Sequence, residues 1–286
     1  MKADQGATRD AHEPLTLPGR VFDPSVPHAA RVYDCWLGGK DHYPADRAVA
    51  EAVARYRPQA AASARANRAF GCRAVTYLTA GCGIRQFLDI GTGLPAPGAT
   101  HQVAQAIDPS ARAAYVDNDP LVLAYARALL TSTPQGRCGY IDADLRDTTG
   151  LLAQASATLD LTQPVAVLLL AVLHYLPDAG HPARIVRSLA AALAPGSYLA
   201  ISHLTADLAP AEVTAAVHAY NGTVPAPVTP RSHAEVTALF TGLPWSPRAS
   251  SRSPNGAPTA RPPPPPTFTP ASPAPAQHPP ARPASA

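Results

Sequence analysis

The chain has 286 residues, of which 46% are apolar, with a net charge of +3. That is enough apolar material for one sizeable α/β domain plus an accessory segment. The small charge, with no Lys/Arg run, leaves no footprint for a nucleic-acid or membrane partner. The scattered Cys35, Cys72, Cys82 and Cys138 form no C-x-x-C pair and have no histidines at zinc-finger spacing, which argues against a disulfide framework or a metal site.

The opening "MKADQGATRDAHEP" is polar and lacks the apolar centre of a signal peptide. The longest apolar run, Val165 to Leu173, is far short of the ~20 residues of a membrane span. A cytoplasmic location is expected. Residues 1 to 26 read as a flexible lead-in, and three helical stretches follow: "AARVYDCWL", "ADRAVAEAVARY" after Pro44, and "AAASARANRAFGCRAVTYLTA" after Pro58, stopped by Gly81. Lying before the first strand, residues 27 to 82 are placed to act as a helical cap.

Between the first two helices lies "YDCWLGGKDHYPAD". Gly38-Gly39 ends a helix and Pro44 closes the loop, which accounts for the glycines without any chemistry. Tyr33, Lys40, Asp41, His42 and Tyr43 remain bunched there. Only Lys2 and Lys40 are lysines in a chain that otherwise uses Arg, so Lys40 suggests a need for a compact ammonium or a tunable amine. Lys40 and Tyr43 are candidate catalytic residues.

From residue 86 the pattern changes to strands alternating with helices, which argues for a parallel sheet covered on both faces. Strands are expected at "QFLDI", "ARAAYV", "CGYID", "PVAVLLL" and "SYLAISHL". Asp119-Pro120 supplies a cap and first turn for "LVLAYARALL", and Ser232 with Glu235 forms a capping box.

The first strand runs into Gly91-Thr92-Gly93-Leu94-Pro95-Ala96. As G-x-G-x-x-A, with Asp117 ending the second strand, this satisfies a dinucleotide fingerprint and does not by itself separate NAD from S-adenosylmethionine. Pyrophosphate needs a helix N-terminus pressed against the turn, and Pro95 and Pro97 remove two of the N–H donors. An adenosyl group without phosphate tolerates a longer turn. The third strand adds Asp144 as an acceptor for an adenine amino group and Leu145 as a wall for its ring. The Tyr-x-x-x-Lys pair of one kind of dehydrogenase is missing, so methyl transfer is favoured. Asp89, Asp117, Asp119 and Asp144 also have ordinary readings as caps or solvated acids, but together with Gly91 and Gly93 they fall at the C-terminal edges of three successive strands, where open α/β sheets bind ligands. His174, after the fourth strand in "VLHYLPD", is a candidate general base or acceptor-orienting group; a structural histidine reads equally well.

At this point the chain resembles the actinobacterial S-adenosylmethionine-dependent methyltransferases, a family first known as a domain of unknown function. The resemblance runs from about Ser25 to Leu243, through "ARVYDCWLGGKDHYPADRAVAE", "ANRAF", "IRQFLDIGTGLPAPGATHQVAQ", "AYVDNDPLVLAYARALL", "YIDADLRD" and "AVLHYLPD". It implies a Rossmann-like α/β methyltransferase: a mostly parallel sheet with helices on both faces, an N-terminal helical cap, and a core spanning 86 to 245. It also implies that Gly91, Gly93, Asp117, Asn118, Asp144 and Leu145 surround S-adenosylmethionine, with Asp89 and Thr92 completing the expected set. A small-molecule acceptor is expected. The alternatives are a non-catalytic cofactor-binding protein and an NAD-dependent oxidoreductase.

Sheets of this kind end with a hairpin that adds an antiparallel strand. Here residues 246 to 286 are Pro-rich and read as a disordered tail with polyproline character. Codons can be chosen so that a shifted frame from Trp245 encodes a more family-like ending, so a frameshift near residue 244 that removed the last hairpin is expected. Resequencing that finds no single-base change restoring a strand-rich ending would refute it.

Overall fold

The computed structural model describes residues 15–17 and 20–243. It opens with a short antiparallel ladder of β1 (Leu15–Leu17) on β2 (Arg20–Phe22), where the sequence suggests a flexible lead-in. Thr16, Val21 and Phe22 favour strand on either side of a Pro-Gly dipeptide, a local signal hidden in polar surroundings.

Three helices come next. α1 (Ala29–Leu37) stops at Gly38, whose φ of 79° only glycine adopts cheaply, and whose N–H caps the carbonyls of Asp34 and Cys35. α2 (Pro44–Tyr56) starts on a proline, where a missing N–H costs nothing. α3 (Ala60–Thr76) widens into a π turn, Tyr77–Gly81.

The sheet is parallel throughout. Its strands are β3 (Gln86–Ile90), β4 (Arg112–Asp117), β5 (Arg137–Asp142), β6 (Ala166–Leu170) and β7 (Tyr198–Ser202), in the order β5-β4-β3-β6-β7. β6 is wholly apolar and β3 is buried along its whole length, its Gln86 and Asp89 included, because both their faces are covered. On one face Leu88, Ile90, Val167 and Leu169 pack with Leu151 of α6 (Thr148–Ala155) and with Ile185 and Leu189 of α7 (Pro182–Ala191). On the other, Phe87, Tyr115 and Leu168 pack with Val75 of α3, Leu78 of the π turn and Ala104 of α4 (Thr100–Gln105). Burial of each such Leu or Phe contributes about 1.5–3 kcal/mol. α5 (Pro120–Leu129) connects β4 to β5.

α8 (Pro210–Asn221) follows β7 and α9 (His233–Ala238) comes last. The sequence assigns the cap to residues 27 to 82, yet Ala216 and Tyr220 of α8 share one apolar cluster with Val32, Val49 and Val53. The cap is therefore α1 to α3 closed by α8, a packing between distant segments that no local pattern announces.

The chain leaves β3 towards β5 and returns to β6 on the other side, so the crevice of this sheet opens at the C-terminal ends of β3 and β6. Among the described residues β7 pairs only with β6. The Pro-rich tail and the expected frameshift lie outside the described residues. No helix of the described residues is long and apolar enough to cross a membrane.

Candidate active site

The turn after β3 is built on two glycines with different tasks. Gly91, at φ 72°, has no room for a Cβ, which would collide with Val172 beyond β6. Gly93, at φ 66°, faces open space and donates its N–H to Asp117 Oδ2 at 3.0 Å. α4 does not begin until Thr100, so the stretch with Pro95 and Pro97 separates the turn from any helix N-terminus. The geometry suits a ligand lying on backbone better than a pyrophosphate needing helix N–H groups.

Asp89 is buried and accepts from Thr100 Oγ1 at 2.6 Å; burial raises its pKa. Thr92, next to Gly91, donates its N–H to Val116 O at 3.3 Å, holding the turn against β4.

Asp117 and Asp119 are both buried at the end of β4. Asp117 accepts from the N–H groups of Gly93 and of Asp119, the latter at 2.9 Å; burial pushes its pKa up against those two bonds. Each carboxylate oxygen keeps a second lone pair for a further donor. Asp119 caps α5, accepting from Leu121 N–H at 2.9 Å. Its other oxygen lies 2.9 Å from His28 Nδ1, which is also 3.3 Å from Ala30 N. One ring nitrogen cannot both donate and accept, and the shorter contact, to a carboxylate, assigns it the proton. Burial would raise the Asp119 pKa, but His28 and the Leu121 N–H outweigh it and hold it low.

Asp144 follows β5 and is gripped by Arg146, whose Nε and Nη2 lie 2.9 and 2.5 Å from its oxygens. Arg146 lowers its pKa, with Asn118 as a further partner from the end of β4. Leu145 is 8% exposed and belongs to the apolar core, which leaves only a narrow margin of its side chain open to any ligand.

The expected N-terminal loop is largely organised by its own acids. Asp34 Oδ2 accepts from Asp41 N–H and contacts His42 Nδ1, each at 3.0 Å. Asp46, fully buried, accepts from the N–H groups of His28 and Tyr43 and from Arg31 Nε. The Arg31 guanidinium stands over the Tyr43 ring at 5.5 Å. Tyr43 thus begins α2, Lys40 is exposed, and the loop lies beside Tyr125 of α5. Tyr33 is pinned elsewhere, donating to Ala64 O at 3.0 Å and accepting from Asn67 Nδ2 at 2.9 Å.

His174 lies in the short 3-10 turn beyond β6, is 8% exposed, and its Nδ1 has no partner among the described residues. Burial, with help from His203 and Arg231, lowers its pKa to about 3. Such a neutral imidazole is suited to orienting a partner and is a poor proton acceptor. Its neighbour His203 has Nδ1 2.8 Å from Leu204 O and Nε2 3.0 Å from Arg231 Nη1, which fixes it as the neutral Nδ1–H tautomer. Arg231, buried, also donates to Leu173 O, Leu176 O and Asp178.

The sequence reading passed over His28, Asn67, Ser202, His203 and Arg231. Asn67 stood inside the quoted "ANRAF", where polar residues interrupt an Ala-rich helix; the others gain their roles only from tertiary contacts. Among the described residues no group of three or more His, Cys, Asp or Glu side chains is placed to hold a metal.

A family model described as S-adenosyl methyltransferase matches residues 16–246. Among solved structures, the chain is similar to a DUF574 family protein from Streptomyces avermitilis, with 44% identity, a TM-score of 0.75, and coverage of 77% of this chain and 84% of that one. It is similar also to a candidate methyltransferase from Thermobifida fusca, with 35% identity, a TM-score of 0.71, and coverage of 81% and 92%. No curated protein matches it. The open cradle at Gly93, the strand-end acid Asp117 and these likenesses converge: the chain belongs to the S-adenosyl methyltransferase family, whose cofactor is S-adenosylmethionine.

Proposed function

We propose that the protein transfers the methyl group of S-adenosylmethionine to a small-molecule acceptor enclosed between the C-terminal edge of the sheet and the helical cap. The observation that carries this reading is the pairing of Asp117, buried with spare acceptor capacity, with Gly93, whose missing side chain leaves open space beside it. Asp117 would accept from the ribose hydroxyls, Asn118 and Asp144 would hold the adenine edge, and Gly91 to Gly93 would pass beneath the rest.

Bound S-adenosylmethionine supplies a methyl group on a positively charged sulfur. The work left to the chain is alignment and exclusion of water. The cap reaches the sheet edge through Asn67, whose Oδ1 accepts from Ser202 Oγ at 2.6 Å. An acceptor must therefore fit beneath that contact, which supports a small molecule. Tyr175, Tyr220 and His174 lie on this side of the molecule, and the hydroxyls of Tyr175 and Tyr220 are 3.4 Å apart. Burial holds Tyr175 well above the ordinary phenol range and Tyr220 at about 12, so both are neutral hydrogen-bonding groups. His174 would orient the acceptor, and Lys40 and Tyr43 would border the site from the loop beside α5.

Calorimetric titration with S-adenosylhomocysteine and with NAD tests the reading: binding of the adenosyl ligand alone is expected. Tight NAD binding without a response to S-adenosylhomocysteine would overturn it. Labelled S-adenosylmethionine in a small-molecule extract should then yield a labelled product; adenosyl binding without any product would mark a non-catalytic binding protein.

A further inference from the structure

Residues 228–231 form a strap between the cap and the sheet edge. The strap starts at the last residue of α8, where Asn221 Nδ2 donates to Val228 O at 3.0 Å and Asn221 Oδ1 accepts from Val228 N–H at 2.8 Å. Thr229 N–H then donates to His174 O at 2.7 Å, and Arg231 N–H donates to Leu204 O at 3.0 Å, just beyond β7. The buried Arg231 side chain finishes the strap: Nη1 donates to Leu173 O at 3.1 Å and Nη2 to Leu176 O at 2.7 Å. Three carbonyls of the turn that carries His174 and Tyr175 are thus held by one four-residue segment. Asp178, the carboxylate paired with Arg231, has a side chain 83% exposed, so that ion pair contributes little and the carbonyls are the main partners of the buried charge.

The side chains of the same turn are left far less satisfied. His174 Nδ1 is buried without a partner among the described residues, and the Tyr175 hydroxyl meets only that of Tyr220 there, at 3.4 Å, beyond an ordinary hydroxyl contact. The charge of Asp117 is felt at the Tyr175 phenol, which places that ring on the side of the strand-end acid. Folding gains nothing from buried polar side chains without partners; a ligand gains from them if the backbone beneath is held still. We propose that Arg231 is a positioning residue for methyl transfer: its guanidinium, through the carbonyls of Leu173 and Leu176, fixes the turn from which His174 and Tyr175 meet the acceptor. A planar fork suits this task, since it reaches both carbonyls at set angles while Nη1 also meets His203 Nε2 at 3.0 Å. The proposal rests on the methyltransferase reading above and adds to it a residue that acts only through others.

The test uses the full-length protein, with S-adenosylhomocysteine for binding and labelled S-adenosylmethionine in the small-molecule extract for turnover. Arg231→Lys keeps the cation and loses the fork. Its affinity for S-adenosylhomocysteine and its KM for S-adenosylmethionine should stay within twofold of the parent, while labelled product forms at least tenfold more slowly. The imidazole NMR signals of His174, identified by their loss in His174→Gln, should also shift, because that ring lies 4.5 Å from the ring of Tyr175 and any movement of the turn changes the contact. A residue that only stabilises the fold would leave those signals in place. An unchanged rate, unmoved signals, or a cofactor KM that rises as far as the rate falls each overturns the proposal. If Arg231→Lys no longer binds S-adenosylhomocysteine it has not folded, and Asn221→Ala, an exposed change that frees the start of the strap, carries the test. It should slow product formation at least threefold with binding retained; an unchanged rate overturns the proposal. A parent protein that binds S-adenosylhomocysteine yet labels nothing overturns the methyltransferase reading itself, and this proposal with it.

Discussion

Asp117 and Asp119 stand two residues apart at one strand end and divide the work between them. Asp119 is committed to capping α5 and to His28, whereas Asp117 retains acceptor capacity beside the glycine turn. Asp117→Ala should weaken S-adenosylhomocysteine at least tenfold by calorimetry, since hydrogen bonds to a charged group are worth about 1.5–3 kcal/mol each. From sequence alone the fold would be expected to survive this change untouched. The structure shows two N–H groups that would lose their acceptor, so a stability loss of about 1–3 kcal/mol in urea unfolding should accompany it. Asp119→Ala should cost about 1 kcal/mol as a lost cap, with little change in affinity. If the two variants trade their effects on affinity, the ribose acid is Asp119. His174 allows a prediction with a definite sign. Its folded pKa of about 3 lies below the 6.5 of an unperturbed histidine, so the unfolded chain takes up the proton first. The stability it contributes is complete above pH 6.5 and is lost as the pH falls from there towards 3, by up to about 1.4 kcal/mol per unit. His203 is lowered by burial and acts in the same direction. Melting temperatures of His174→Gln between pH 7 and 5 should therefore decline less steeply than those of the parent; an identical slope would refute the assignment.

Between elements, one polar chain of contacts ties the cap to the glycine turn after β3. Tyr33 of α1 accepts from Asn67 of α3, Asn67 accepts from Ser202 at the end of β7, and Ser202 Oγ accepts from Ala171 N–H at 2.9 Å. Ala171 sits at φ 55°, a left-handed conformation that a residue with a Cβ adopts at a cost of about 1–2 kcal/mol. It directly precedes Val172, which fills the space left by Gly91. Ala171→Gly relieves the strain and loses about 0.5–1 kcal/mol to backbone entropy, so its melting temperature should equal or exceed the parent's. A fall of several degrees would show that the conformation is not strained. Ser202→Ala removes a link that Ala171→Gly does not restore, and should cost about 1 kcal/mol on either background. Much of the element level was legible in the sequence. Helix starts at Pro44 and Asp119-Pro120 and stops at Gly38 follow from local backbone chemistry, and the strand segments follow from their largely apolar runs, the inner strands β3, β4 and β6 being buried almost throughout. Contacts such as Asn67 to Ser202 were not legible, because they join residues far apart in sequence and leave no periodicity. For the same reason Asp117 stood out in the sequence, flagged by its strand-end position, whereas Arg231 did not.

For the whole molecule, the cap and the sheet are held by different means. The sheet carries two apolar clusters, and the cap has its own smaller one with the buried Arg31 and Asp46 pair at its edge. Asp46 accepts from three donors in the lead to α1, in α1 and before α2, so Asp46→Ala leaves Arg31 buried without its partner. A loss of about 3–5 kcal/mol is expected. It should appear in fluorescence of Trp36, whose Nε1 reaches Ala50 O in the cap, at lower urea than the far-ultraviolet signal of the sheet helices. Coincident transitions would show that cap and sheet unfold as one unit.

The closure of the cap by α8 sets an order of events for a chain being made from its N-terminus. α2 is synthesised before any strand of the large sheet, yet its packing partner follows the last of them. Domains condense as their segments emerge, and contacts of long sequence separation come late because the connecting chain must first be ordered. Until α8 leaves the ribosome, Val49 and Val53 of α2 lack the partners they find in Ala216 and Tyr220, so the apolar cluster of the cap closes only after the last strand of the large sheet has been made.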